Sequence, residues 1–238
     1  MAGVWPITRR ILLAIRGDRR TLGLVLFVPV FLIYLVSEVF ADPQEVAAPI
    51  LAVLVFILTY LLTAIGFLRE RQAGTLERVL VAPVSRTSIV VGYFSGYGLL
   101  ATVQVTVLLG AAIVFLEIDF AHGIGLFFVL EMLGAVTAIG VGILLSLFAE
   151  NEFQAVQFIP LVISPQVILG DVFVPVEELP VYLEIPARAM PITYLVDGMD
   201  YVILGSGHRS DLWIAIFVLL EFTVLAVGIA QFVVKQSS

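Results

Sequence analysis

Two carboxylates, Glu131 and Glu221, stand inside long apolar runs. An ionisable group at that depth in lipid costs at least about 2–3 kcal/mol unless it is paired, protonated or wet. No basic residue lies at similar depth, so a buried ion pair is not available. One reading is a solvated pathway: a polar cavity, a cation or substrate contact, or a proton relay. The other is a protonated glutamate hydrogen-bonded to a neighbouring helix through Thr106, Thr137 or Thr223. Catalytic chemistry finds less support. His122 and His208 stand alone outside the apolar runs without metal-ligand spacing, and both are expected to face solvent. No nucleophile–base arrangement is visible, and the absence of cysteine removes disulfides and thiolate metal sites. A phosphate-binding P-loop needs a lysine after its glycines. The single lysine, Lys235, is followed by Gln236, so the sequence holds no such ATPase site, and no metal site is expected.

The elements that must position these groups are set by composition. The chain of 238 residues is 61% hydrophobic and 13% charged, with a mean hydropathy of +1.13. Soluble domains average roughly 45–50% apolar and about 25% charged, so this is a membrane composition. Apolar runs occupy 21–40, 48–68, 89–116, 124–148, 153–170 and 212–234. About 20 helical residues cross a hydrocarbon core of roughly 30 Å. Six spans are expected, the fifth short and interrupted by Pro160 and Pro165. The first run is longer than a signal-peptide core of roughly 7–15 residues and follows an arginine-rich segment, so it reads as a retained span.

Basic residues fix the orientation. Arg9, Arg10, Arg16, Arg19 and Arg20 precede the first run; Arg69, Arg71, Arg78 and Arg86 lie between the second and third; Lys235 follows the sixth. The opposite loops carry Asp42, Glu45, Glu117 and Asp119, with only Arg188 and Arg209 as bases. An even number of spans with both termini cytoplasmic fits this asymmetry.

Residues 7–20 place Ile7, Ile11, Ala14 and Ile15 on one helical face and Arg9, Arg16 and Arg20 on the other, the pattern of a helix lying in the headgroup layer. Gly92 and Gly96 form a GxxxG, and Gly134, Ala138 and Gly142 repeat at four-residue spacing, which permits close helix packing in lipid. Tyr34, Tyr93, Tyr97 and Trp213 read as interfacial anchors.

The loop LRERQAGTLERVLVAPVSR, residues 68–86, is the most informative stretch. Gly74 breaks a helix, Thr75 can cap a short new one, and Leu76, Val79 and Leu80 form its apolar face. Pro83 stops it, and Ser85 or Thr87 can cap the next span. The result is a short helix between charged flanks at the cytoplasmic surface, either a lever for a soluble partner or a topology-fixing loop. A second stretch, 160–205, contains Phe173-x-Pro175, Glu178-Leu179-Pro180 and Pro191-x-Thr193-Tyr194.

Together these stretches resemble the ABC-2 family of ATP-binding-cassette exporter permeases. The first carries the family's acidic-basic cluster, Gly-Thr, Leu-Glu and Pro-x-Ser at Glu70, Arg71, Gly74, Thr75, Leu76, Glu77, Pro83, Ser85 and Arg86. One departure is Ile163-Ser164-Pro165 before Leu169-Gly170-Asp171, where many members have Leu-Ser-Gly, which leaves the end of the fifth span open. The resemblance implies an all-α polytopic helical bundle forming a single transmembrane domain over 1–238. Its parts would be an interfacial helix (1–20), spans 1–2 (21–68), a coupling loop (69–87), spans 3–5 (88–170), an extracellular re-entrant segment (171–210), and span 6 with the tail (211–238). A helix at about 75–82, carrying Arg78, would dock on a separate ATPase subunit. Short helices at 171–205, including Pro175, Pro180, Pro191, Thr193 and Tyr194, would dip into the outer leaflet. ATP and Mg would reside on the partner, with none bound by this chain. A second permease copy, identical or related, and membrane lipids would be the other partners; nucleic acid would not. The arginine-rich composition points to a GC-rich prokaryotic genome, and so to a prokaryotic cytoplasmic membrane. An ion- or proton-coupled secondary transporter or channel built on Glu131 and Glu221 is the alternative, although no inverted repeat is visible.

Overall fold

A computed structural model describes residues 3–81 and 83–236, with the side chains of 19–21, 24, 77, 80 and 230–236 outside the description. Ala82 and the side chains of Arg19, Arg20, Glu77, Leu80 and Lys235, all invoked above, therefore lie outside the described residues. The helices run α1 (Val4–Gly17), α2 (Arg19–Val39), α3 (Ala47–Gln72), α4 (Thr75–Leu80), α5 (Arg86–Phe115) and α6 (Ile124–Ser146). They continue as α7 (Glu152–Phe158), α8 (Ser164–Leu169), α9 (Val181–Ala187), α10 (Pro191–Leu204) and α11 (Arg209–Gln236). No strand occurs among the described residues. The chain is an all-α, membrane-embedded, multi-pass bundle.

Among the described residues, five helical stretches are long and apolar enough to cross a bilayer: α3, α5, α6, the run Glu152–Leu169, and Arg209–Ile229 of α11. The apolar part of α2, Val25–Val39, is shorter. The run Glu152–Leu169 shows how a proline-containing span stays continuous. Pro160 lacks an N–H and crowds the carbonyl one turn back. Instead of ending, the helix widens into a π turn over Ile159–Ile163. Pro165 then falls in the first turn of α8, where an N–H is not required.

Loop contacts separate the two ends of the bundle. At one end Ala121 and His122 donate backbone N–H groups to Ile203 and Val202, and Gln44 bonds with Asp119. At the other end the tails of α3 and α6 meet, and Arg10, Arg69 and Arg71 collect there. Between them α3 packs along α6 and α10 against both, burying Leu51, Val55 and Phe56 together with Leu195, Val196 and Met199. The small-residue repeat in α6 makes this possible: a Cβ on Gly134 would stand 2.5 Å from Leu195, and one on Gly142 would stand 3.0 Å from Thr63. With 14 residues, α10 is about 21 Å long at 1.5 Å per residue, too short to span.

Candidate functional site

At the arginine-rich end, Gly74 adopts φ +64, a left-handed conformation that ends α3 without a Cβ penalty. Thr75 is the first residue of α4, so Gly74 rather than Thr75 occupies the cap position. Leu76 is buried and Val79 packs against the core, which sinks the apolar side of α4 into the bundle. Arg78, Val81, Pro83 and Arg86 are exposed. Ser85 caps α5, its hydroxyl accepting from the Ser88 N–H at 3.1 Å. The short helix is thus joined tightly to the ends of α3 and α5.

The charged cluster before it does something the sequence did not reveal. α3 continues to Gln72, so Arg69, Glu70 and Arg71 are helical rather than loop residues. Glu70 turns inward, accepting from Arg10 and from the Tyr93 hydroxyl, each at 2.5 Å, while Arg10 also donates to Tyr93 at 2.9 Å. Arg71 donates to the carbonyls of Leu147, at 2.6 Å, and Ala149. Those groups belong to the frayed end of α6, and a guanidinium satisfies them in place of a further helical turn. Gln72 reaches the carbonyl of Glu150 at 2.8 Å. Arg69 bridges Asp18 at 2.9 Å and Glu152 at 2.6 Å. These contacts clasp α1, α3, α5 and the α6–α7 junction together.

α1 is seated on α5 by the GxxxG. A Cβ on Gly92 would lie 2.9 Å from Ile7, and one on Gly96 would lie 2.7 Å from Ile11. Thr8 donates to the Gly92 carbonyl at 3.1 Å. The apolar face expected of this helix is confirmed at Ile7, Ile11 and Ile15, whereas Ala14 is exposed. Tyr93 and Tyr97 are not interfacial anchors: both are buried, and the Tyr97 hydroxyl lies against Gly66. Tyr34 and Trp213 are exposed. Sequence reasoning missed Arg10, Asp18, Tyr93 and Glu152 as clasp members. Each is separated from a clasp partner by 51 to 83 residues, which leaves no local signal, and the arginines read equally as topology-setting charges.

The two apolar-run carboxylates part company. Glu131 is fully buried on α6, and neither carboxylate oxygen has a hydrogen-bond partner. Glu221 is exposed on the outer surface of α11. The threonines proposed as partners are engaged elsewhere: Thr106 donates to Thr102, and Thr137 to Leu133 and Leu219, with Thr223 beside it. His122 is exposed as expected, and its ring also stacks on Tyr201 with centroids 4.0 Å apart and bonds to that residue's carbonyl.

At the acidic end, Pro175 and Pro180 are exposed and Pro191 is buried. Thr193 donates to the Ala187 carbonyl at 2.8 Å and Tyr194 to the Arg188 carbonyl at 2.7 Å, tying the start of α10 to the end of α9. Burial and the neighbouring Asp171 carboxyl raise Asp197 to about 7, and burial raises Asp200 to about 6.

The pattern of the ABC-2 type transporter family matches residues 3–204. The probable multidrug ABC transporter permease YbhR of Escherichia coli is 27% identical over 178 residues, covering 75% of this chain and 48% of that protein. ABC transporter G family member 20 of Dictyostelium discoideum is 28% identical over 177 residues, 74% of this chain and 24% of that protein. The linearmycin resistance permease protein LnrN of Bacillus subtilis is 22% identical over 173 residues, 72% of this chain and 45% of that protein. This chain spans about half or less of the length of these relatives.

Proposed function

Given that the chain belongs to the ABC-2 type transporter family, we propose that it is the permease of an ATP-driven exporter that moves an amphipathic cargo outward across a prokaryotic cytoplasmic membrane. The observation that carries this reading is the mounting of α4. Its apolar side is anchored in the core while Arg78, Val81, Pro83 and Arg86 face outward. Force applied to that surface by an ATPase subunit reaches α3 through Gly74 and α5 through the Ser85 cap. The clasp passes it on to α1 and the α6–α7 junction. Glu70 and Arg71 then serve as transmission residues rather than docking residues.

In this reading α2 supplies the first of six spans, both termini are cytoplasmic, and a second permease copy completes the pathway. α9 and α10 form the exit segment on the far side. Relatives named as multidrug or linearmycin-resistance permeases favour an apolar or amphipathic cargo. ATP and Mg belong to the ATPase. Co-purification with that subunit tests the proposal: Arg78→Glu should lower the stimulation of ATP hydrolysis by cargo while leaving the permease folded. Full stimulation after combined changes at Arg78 and Val81 would sink the docking assignment.

One observation favours an ion-coupled reading, the unpartnered Glu131. That alternative expects cargo movement to follow an ion gradient without ATP and to vanish in Glu131→Gln.

A further inference from the structure

The segment between α8 and α10 is fastened to α10 at two places. Its rear is held by Thr193 and Tyr194, which donate to the Ala187 and Arg188 carbonyls at the end of α9. Its front is held by Asp171. That residue follows α8 at φ +64, and its Oδ1 accepts from the Val176 N–H at 2.9 Å. Residues 171–176 are thereby closed into a loop, with Val176 buried and Phe173 and Val174 exposed. The Asp171 carboxyl is also hydrogen-bonded to the carboxyl of Asp197 on α10, one turn beyond Thr193.

A bond between two carboxyl groups contains a proton, because an ionised carboxylate only accepts. Asp171 already accepts from a backbone N–H, which favours its charged form and leaves Asp197 as the donor. The charges that act on Asp197 are Asp171, Glu177 and Asp200, all acidic, and Glu177 acts on Asp171 as well. The nearby base of α9, Arg188, is engaged by Glu177 and Glu184. Of the other elements packed on α10, α8 has no charged residue and α3 carries its charges at the far end. α6 brings the buried Glu131, and α11 brings Arg209, Asp211 and Glu221; these do not act on the pair. Among the described residues, no cation therefore takes the place of the shared proton.

We propose that the Asp171–Asp197 pair is a proton-dependent latch. With the proton present it pins the 171–176 loop to α10; without it the two carboxylates repel and free the front of the segment, while Thr193 and Tyr194 keep the rear attached. Two carboxylates at hydrogen-bond distance resist double ionisation, and burial together with Asp171 raises Asp197 to about 7. The latch is therefore closed below about pH 7 and opens as pH rises through that value. The fastened segment is the exit segment of the exporter reading, so the outer medium would set its state. That last step alone rests on the orientation given under Proposed function.

Cysteine labelling of the full chain in detergent tests the latch, since the chain has no cysteine of its own. Val176→Cys reports on the loop, and the exposed Phe173→Cys corrects for reagent and thiol ionisation. Relative to Phe173→Cys, maleimide should react with Val176→Cys severalfold faster at about pH 8 than at about pH 6. Asp197→Asn keeps a side-chain donor to Asp171 at every pH and should hold the slow rate throughout. Asp171→Asn donates in the other direction and should do the same. Asp197→Ala should react fast at both pH values. A corrected rate independent of pH with both aspartates present, an equal pH response in Asp197→Asn, or slow reaction of Asp197→Ala overturns the proposal. No ATP or ATPase enters this assay, so failure of the exporter reading would show separately as lost ATPase association with the pH response intact.

Discussion

At the scale of single residues, Glu131 is, among the described residues, the buried carboxylate with no hydrogen-bond partner. A buried carboxyl without donors contributes desolvation cost and no compensating bond. Replacing such a group with an apolar one of similar size is often neutral or stabilising. Glu131→Leu should therefore unfold at the same temperature as the wild type or higher, as read by thermal scanning in detergent. A clear drop would show that the carboxyl has a partner. The clasp behaves oppositely. Tyr93→Phe removes a donor to Glu70 and should cost about 1–3 kcal/mol, the usual loss of a hydrogen bond to a charged group. Asp197 adds a pH dependence. It lies on the non-spanning α10, and its folded value of about 7 exceeds the ordinary value of 3.8. The folded state thus holds a proton that the unfolded chain releases first. Stability should fall as pH rises from about 4 to about 7, by on the order of a few kcal/mol, and then level off. Asp197→Asn should flatten that slope.

Among the elements, α1 shows how little the sequence says about placement. Its amphipathic pattern is plain, and Ile7, Ile11 and Ile15 do form its buried face. What that face would meet was not legible. A headgroup-layer helix and a helix seated on a partner share one periodicity, and only the fold brings Gly92 and Gly96 beneath Ile7 and Ile11. The GxxxG was visible as a small-residue motif, but its partner lay more than 80 residues away. α4 was easier to read, because Gly74 and Ser85 act locally at its two ends. Gly96→Leu should lift α1 from α5, since even a Cβ there meets Ile11 at 2.7 Å. The chain has no cysteine, so a single Ala14→Cys reports on α1 cleanly. Its maleimide labelling rate should change when Gly96→Leu is added and stay constant with Val91→Leu on the exposed side of α5.

For the molecule as a whole, the membrane character and most spans followed from hydropathy alone, because bilayer thickness imposes a length that composition cannot disguise. The π turn over Ile159–Ile163 did not, since two prolines in a run read equally as a break or a kink. The clasp was hidden for a related reason. An arginine at a membrane surface satisfies the positive-inside bias whether or not it also holds two helices together. Arg69 joins Asp18 and Glu152 across three segments. Exposed pairs of this kind contribute roughly 0–1 kcal/mol each, so Arg69→Gln should barely alter thermal stability. Its effect should appear in coupling instead, because it joins α3, the α1–α2 junction and the start of α7. With the ATPase subunit bound, Arg69→Gln should retain basal ATP hydrolysis while cargo movement per ATP falls severalfold. Charge reversal at both ends, Arg69→Glu with Glu152→Arg, should restore part of the loss. If Arg69→Gln transports as well per ATP as the wild type, the clasp is a topological device and α4 alone carries the force.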